Sequence, residues 1–225
     1  MNTPTNHDAV PQSSSPKQID FATALQRLRD GNRRFVQDVR SIAALATTAQ
    51  RAALASAQSP FAVILSCADS RVPSEMVFDQ GLGSLFVVRV AGNIVAPSLV
   101  GSIEYAVDTF GVQLVVVMGH TSCGAVKATL DYLEHPAVGS KNVLDIVERI
   151  RPAVAPLVSS CSDHNALLSA ATRANVRASA SQLRSGSPLL KSQLEAGRLL
   201  VVGAEYSLET GVVDMFDGVP ASLRA

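Results

Sequence analysis

Continuous apolar runs alternate with amphipathic segments through the middle of this chain. The runs at 61–67, 85–92 and 112–120 are apolar at nearly every residue, which is typical of strands buried on both faces of a parallel sheet. Apolar residues recur at helical spacing over 95–110, and 123–134 is a further candidate helix. This alternation predicts an α/β fold, in which helices flank a central, mainly parallel β-sheet.

Helical patterns precede this core. Residues 1–19 are rich in Ser, Pro, Asn and Gln and are expected to form a disordered or flexible tail. Asp20 is a suitable N-cap for a first helix, and an Ala-rich second helix is expected over 47–57. We therefore expect an N-terminal helical arm over 20–57, within a single α/β domain that covers 20–225.

The remaining segments predict further helices and one hairpin. Pro73 suits the first position of a short helix. The stretch 141–197 has a helical pattern, with breaks expected at Pro152, at Pro156 and near its Ser-Gly-Ser-Pro sequence. The segment 198–216 is interpreted as a strand, a turn and a second strand, so that the chain ends with an edge strand of the sheet.

Charge and composition exclude several classes of function. Lys plus Arg and Asp plus Glu number 19 each, and there is no Trp, which argues against nucleic-acid binding and against a polybasic membrane anchor. The apolar runs are shorter than the roughly 18 residues of a membrane helix, and no secretory signal is evident. No G-x-G-x-x-G follows the first strand, which argues against a dinucleotide enzyme. Three cysteines do not suggest a disulfide framework, so we expect a cytoplasmic protein.

Two polar clusters interrupt the apolar pattern, and each follows a predicted buried strand. The first is Cys67–Arg71, with the sequence C-A-D-S-R, and the second is His120–Cys123, with the sequence H-T-S-C. In open α/β sheets, ligands bind beyond the carboxyl ends of the strands. The two clusters are therefore expected to meet in one crevice.

The donor types in these clusters fit zinc. Cys67, His120 and Cys123 offer two sulfurs and one imidazole, and three protein ligands with one open position are typical of a catalytic zinc site. Cys123 begins a predicted helix, whose free N–H groups favour a thiolate. The alternative is that each cysteine is a small buried hydrophobic residue. Cys161 has no comparable position after a strand and is interpreted as an incidental thiol.

Asp69 and Arg71 add a charged pair to the first cluster. An Asp held by a guanidinium stays ionised and could accept a hydrogen bond from a hydroxide on the metal. The alternative is a surface ion pair that caps the next helix.

These motifs resemble those of the β-class carbonic anhydrases. The resemblance is carried by C-x-D-S-R followed by H-x-x-C, and by the surrounding segments CADSRVPSEMVFDQGLGSLFVVRVAGNIV, GSIEYAV and VVVMGHTSCGAVKA. It is dense over 58–130 and thinner up to the C-terminal VVGAEYSLETGVV.

The resemblance implies one Zn²⁺ per subunit on Cys67, His120 and Cys123, with Asp69 and Arg71 as the catalytic pair. In the family this Asp can instead ligate zinc in a closed, inactive state. The resemblance also implies homodimers, often paired into tetramers, in which N-terminal helices embrace the partner and the substrate clefts lie at the interface.

The resemblance further implies substrate-binding roles for Gln58, Phe86 and Tyr105, which match the plant-type, open-site branch. Gly124 is a fourth candidate, since it allows close backbone approach near the metal. Ile64 stands where the bicarbonate-inhibited branch usually has Trp, so no inhibitory bicarbonate site is expected. From the residues alone, Phe86 could equally be a core aromatic, Gln58 a turn residue and Gly124 a helix-start residue.

The function implied is reversible, zinc-dependent hydration of carbon dioxide to bicarbonate and a proton through hydroxide on zinc, which is the activity of a carbonic anhydrase, a lyase. One alternative is a hydrolase of carbonyl sulfide or carbon disulfide on the same scaffold. Another is a non-catalytic, zinc-stabilised assembly protein. His7, His135 and His164 lie outside the motifs, and no proton-relay residue is evident.

Overall fold

The computed structural model describes residues 18–41, 46–136, 139–160 and 163–224. The expected tail up to residue 17 and the expected role of Cys161 lie outside these described residues. The strands are β1 (Ala62–Ser66), β2 (Leu85–Arg89), β3 (Leu114–His120), β4 (Leu200–Tyr206) and β5 (Val213–Asp217). The α-helices are α1 (Phe21–Val36), α2 (Thr48–Leu54), α3 (Ser74–Val77), α4 (Pro97–Phe110), α5 (Gly124–Glu134), α6 (Lys141–Val154), α7 (His164–Gly186) and α8 (Pro188–Glu195).

The five strands form one sheet in the order β2-β1-β3-β4-β5. β1 pairs in parallel with both β2 and β3, β3 pairs in parallel with β4, and β5 runs antiparallel at the edge. The α/β fold with a mainly parallel sheet and a C-terminal edge strand is therefore confirmed. After β1 the chain forms β2 on one side of it, and then crosses back to form β3 and β4 on the other side. The sheet therefore has a topological switch point between β1 and β3.

Apolar side chains cover both faces of the sheet, which explains the unbroken runs in the sequence. On one face, Ile64 and Met118 pack with Leu25 and Leu28 of α1. On the other face, residues of β1 and β3 pack with α4, α7 and α8. Because α1 buries its apolar side in this chain's own core, it is part of the domain, whereas α2 has no buried residue.

Local signals in the sequence set most helix ends. Asp20 caps α1 by accepting a hydrogen bond from the Thr23 N–H, and Gly111 ends α4 with a left-handed φ of 67°. Two expectations were wrong in detail. Pro73 is the N-cap of α3 rather than its first residue, and Pro152 does not break α6. Pro152 lies in the last turn of α6, so its missing N–H removes one hydrogen bond close to the end of the helix.

Two buried polar residues connect α1 to the rest of the fold. The Asn32 amide donates to the carbonyls of Val77 and Gly211 and accepts from the Val213 N–H. This explains the polar interruption in the apolar pattern of the helix. Asp79, whose side chain is fully buried, accepts a 2.6 Å hydrogen bond from Nε of Arg34.

Among the helices that the structure describes, none has both the length and the apolarity of a membrane span.

Candidate metal centre

Three soft donors lie together where β1 and β3 end. The sulfurs of Cys67 and Cys123 and a ring nitrogen of His120 all lie within 4.8 Å of one another. Cys67 directly follows β1, His120 is the last residue of β3, and Cys123 is the N-cap of α5. All three residues are buried, with Cys67 only 4% exposed and the other two fully buried.

The His120 ring presents a lone pair to this cluster. Its Nδ1 lies 2.9 Å from the carbonyl oxygen of Thr121, which can only accept, so Nδ1 carries the proton. Nε2 is buried and has no hydrogen-bond partner among the described residues. A buried nitrogen without a partner is costly, and a metal ion would satisfy it.

The two thiols compete for a single negative charge. A hydrogen bond from Cys123 lowers the pKa of Cys67 to about 4, while sharing that hydrogen bond, together with burial, raises the pKa of Cys123 far above its usual value. A divalent cation between the sulfurs would allow both to ionise, because it replaces the shared proton. Two sulfurs and one imidazole therefore fit Zn²⁺ in chemistry and in number.

Backbone N–H groups support the sulfurs. The Gly92 N–H lies 3.4 Å from Sγ of Cys67, and the carbonyl of Gly92 accepts a 2.8 Å hydrogen bond from the buried amide of Asn175. Gly92 has a φ of +70°, and a Cβ there would lie 2.7 Å from Cδ1 of Ile150. Only glycine combines this conformation with this packing. Neither Gly92 nor Asn175 was predicted from the sequence.

Asp69 is held beside the cluster by Arg71. Nε of Arg71 lies 2.9 Å from Oδ1 and Nη2 lies 2.8 Å from Oδ2, which is a bidentate pair. These hydrogen bonds keep the pKa of Asp69 well below its usual range. Oδ2 of Asp69 lies 3.9 Å from Nε2 of His120, so an ionised carboxylate faces the donor cluster.

Arg89, at the end of β2, is a further residue of the site that was not predicted from the sequence. Its Nε donates to the carbonyl of Cys67 at 3.2 Å and its Nη2 to the carbonyl of Asp69 at 2.6 Å. The available signal was a charge that ends an apolar strand, the same signal that drew attention to Asp69 and Arg71.

The four candidate substrate residues do not all lie near the donors. Gly124 adjoins Cys123 at the start of α5, and a Cβ there would meet no atom within 4 Å. Gln58 is exposed and precedes β1, at the end of that strand opposite Cys67. Phe86 lies on the edge strand β2, and its ring centre is 6.4 Å from that of Tyr105, which is 54% exposed. Phe86 and Tyr105 therefore lie on the β2 side of the chain, and Gln58 lies at the end of β1 opposite Cys67.

Comparisons with known proteins give a consistent result. A family model described as carbonic anhydrase matches residues 62–213. The carbonic anhydrase of Mycolicibacterium smegmatis is 42% identical over 196 residues, which are 85% of this chain and 91% of that protein. The solved β-carbonic anhydrase CcaA is 28% identical with a TM-score of 0.68, over 87% of this chain and 96% of that one. A structure of tetrameric β-carbonic anhydrases from Sordaria macrospora shares the fold, with 24% identity and a TM-score of 0.65, over 73% of this chain and 84% of that one.

Proposed function

Because this chain belongs to the β-class carbonic anhydrase family, we propose that it hydrates carbon dioxide reversibly with one zinc ion held by Cys67, His120 and Cys123. The observation that carries this proposal is the meeting of these three donors within 4.8 Å around a buried Nε2 that has no partner among the described residues. Two thiolates would balance the charge of Zn²⁺, and three protein ligands would leave a fourth position for small molecules.

A zinc ion held by these three residues would supply Lewis acidity, and with it a nucleophile for carbon dioxide at neutral pH. The carboxylate of Asp69 would accept a hydrogen bond from that nucleophile and so orient it toward the substrate carbon. Arg71 holds both carboxylate oxygens, so that Asp69 stays ionised and keeps one orientation.

We assign the site to the open branch of the family, in which the Asp remains hydrogen-bonded to its Arg. Two contacts support this. Both oxygens of Asp69 are engaged by Arg71, and two donors of Arg89 are engaged by backbone carbonyls. Ile64 is fully buried in the core at the position where the inhibited branch has Trp. Inhibition by bicarbonate near neutral pH is therefore not expected.

Gln58, Phe86 and Tyr105 complete the substrate cleft of a second copy, which makes the active unit at least a dimer. Support comes from the position of Phe86 and Tyr105 on the β2 side, the free edge of the parallel sheet, and from the exposed side chains of Gln58 and Tyr105. Gly124 leaves open space beside Cys123 for a small substrate. Dimers of this kind could pair into tetramers. A reducing, cytoplasmic setting suits a site that needs two free thiols.

Stopped-flow carbon dioxide hydration tests the proposal, on protein stripped with a chelator and reloaded with measured amounts of zinc. Activity should rise in proportion to zinc and saturate at one ion per chain. Hydrolysis of carbonyl sulfide and carbon disulfide is measured on the same samples. Faster turnover of either sulfur compound than of carbon dioxide would assign the site to that hydrolase, and zinc binding without turnover of any of them would refute a catalytic role.

A further inference from the structure

The segment that follows β1 continues the extended course of the strand beyond its last pair, Ser66 with Arg89. The Ala68 N–H donates to the carbonyl of Val90 at 3.2 Å, so the chain still follows β2 at this point. The side chain of Arg89 donates to the carbonyls on either side of Ala68, with Nε 3.2 Å from the Cys67 oxygen and Nη2 2.6 Å from the Asp69 oxygen.

This arrangement fixes the directions of two important side chains. In an extended backbone, residues i and i+2 project their side chains to the same face. The Cys67 sulfur and the Asp69 carboxylate therefore both face the crevice that contains His120. No strand of the sheet pairs with Cys67 or Asp69. The Asp69 carbonyl also accepts from the Val72 N–H at 3.0 Å within the segment itself, so it is Arg89 that ties both carbonyls to the end of β2.

We propose that Arg89 is a positioning residue, which clamps the carbonyls of Cys67 and Asp69 and thereby holds a metal-binding sulfur and the orienting carboxylate in register with His120. The inference rests on the proposed function, because it takes Cys67 as a zinc ligand. A planar guanidinium can span two carbonyls two residues apart, whereas the single ammonium of lysine keeps the charge without that span.

The test compares wild-type protein with Arg89→Ala and Arg89→Lys. Arg184→Ala is the matched control, because Nε and Nη2 of Arg184 also donate to a strand carbonyl, that of Val201, but away from the metal centre. Two readouts are independent of turnover. One is the rate of zinc release to a colorimetric chelator, and the other is the absorption spectrum of the Co²⁺-loaded protein, which reports the sulfur ligands. Urea unfolding of each zinc-loaded variant measures its stability.

Both Arg89 variants should release zinc about 10- to 100-fold faster than wild type and alter the cobalt–sulfur absorption, since supporting contacts of metal ligands have effects of this size. They should also lower kcat more than they change KM. Arg184→Ala should stay within about twofold of wild type in zinc release, even at an equal loss of stability. If Arg89→Ala does not fold, Arg89→Lys still provides the comparison.

Zinc release and cobalt spectra equal to wild type in the Arg89 variants would overturn the inference, as would equal acceleration in Arg184→Ala. A wild-type protein that binds zinc but does not hydrate carbon dioxide would refute the proposed function alone, because the role of Arg89 is tested by the rate of zinc release and not by turnover. A wild-type protein that binds no zinc would overturn both.

Discussion

Oδ2 of Asp69 lies 3.9 Å from Nε2 of His120, while Nη2 of Arg71 holds the same oxygen at 2.8 Å. A carboxylate in this position is near enough to the donor cluster to orient a small nucleophile, yet is kept ionised by its guanidinium partner. The division of roles between Asp69 and the three soft donors leads to the first prediction.

Asp69→Asn should retain zinc but lose about 100-fold or more in kcat for carbon dioxide hydration, because the amide cannot reproduce the carboxylate's acceptor pattern. Zinc content by elemental analysis and stopped-flow hydration provide the measurements. Asp145→Asn is the control, since Asp145 forms a similar two-bond pair with Arg149 on an exposed helix face. Unchanged turnover in Asp69→Asn would refute the orienting role.

Gly92→Ala should destabilise the fold by about 2 kcal/mol and reduce zinc content, because a Cβ there lies 2.7 Å from Cδ1 of Ile150 at a φ of +70°. Ile150→Val should partly restore both properties in the double variant. Gly101→Ala, in α4 with no atom within 4 Å of the added Cβ, should be neutral or stabilising. Urea unfolding measures the stability of the three variants, and elemental analysis measures their zinc content. Equal effects of Gly92→Ala and Gly101→Ala would contradict this explanation.

Hybrid dimers test the shared cleft. Asp69→Asn and Gln58→Ala should each lose most activity, the second by at least about tenfold if its amide contacts substrate. If Gln58 serves the partner's site, a hybrid of the two variants contains one site with both defects and one intact site. Purified hybrids carrying two different tags should then regain about half of the wild-type activity per dimer. Hybrids no more active than the parents would place Gln58 in its own chain's site or in none.

Arg34→Ala should lower the free energy of unfolding by about 1–2 kcal/mol at pH 7, since it removes the partly exposed guanidinium that is hydrogen-bonded to the buried Asp79 and leaves Arg40 3.9 Å from Oδ1. Burial raises the pKa of Asp79, but hydrogen bonds from Arg34 and Ser41 outweigh it, and the net shift is downward. A lowered pKa in the folded state contributes stability above the unfolded pKa, near 3.9, which is lost as pH falls through the folded value.

The difference in the free energy of unfolding between wild type and Arg34→Ala should therefore be largest at pH 7. It should shrink progressively below about pH 4, as Asp79 takes up a proton. Urea unfolding at pH 7, 5 and 3 measures it. Arg33→Ala is the neighbouring control, because its exposed pair with Asp30 should contribute less than about 1 kcal/mol at any pH. A gap that widens at pH 3 would contradict the assigned sign.

The parallel sheet could be predicted because β1 and β3 are apolar at successive residues, a pattern that fits only strands covered on both faces. The closeness of Cys67 to His120 follows from the same reasoning, since both end neighbouring strands. Their roles as ligands remain predictions. Pro152 was misjudged because the sequence does not reveal how near a helix end it lies.

The supporting residues of the site were harder to foresee. Arg89, Gly92 and Asn175 act through backbone carbonyls and N–H groups, and such contacts have no periodic signal in a sequence. An arginine that ends a strand is most often simply exposed to solvent. A glycine before Asn93 becomes informative only when the packing of α6 against it is known.

The most direct test of the central claim is zinc K-edge X-ray absorption of the wild-type protein loaded with one zinc ion per chain. The account predicts two sulfur neighbours at about 2.3 Å and two lighter neighbours at about 2.0–2.1 Å, of which one is an imidazole and the other an exchangeable small molecule. Cys67→Ser should then show one sulfur. A wild-type spectrum with any other number of sulfurs, or with a fourth ligand from a protein side chain, would contradict the proposed site.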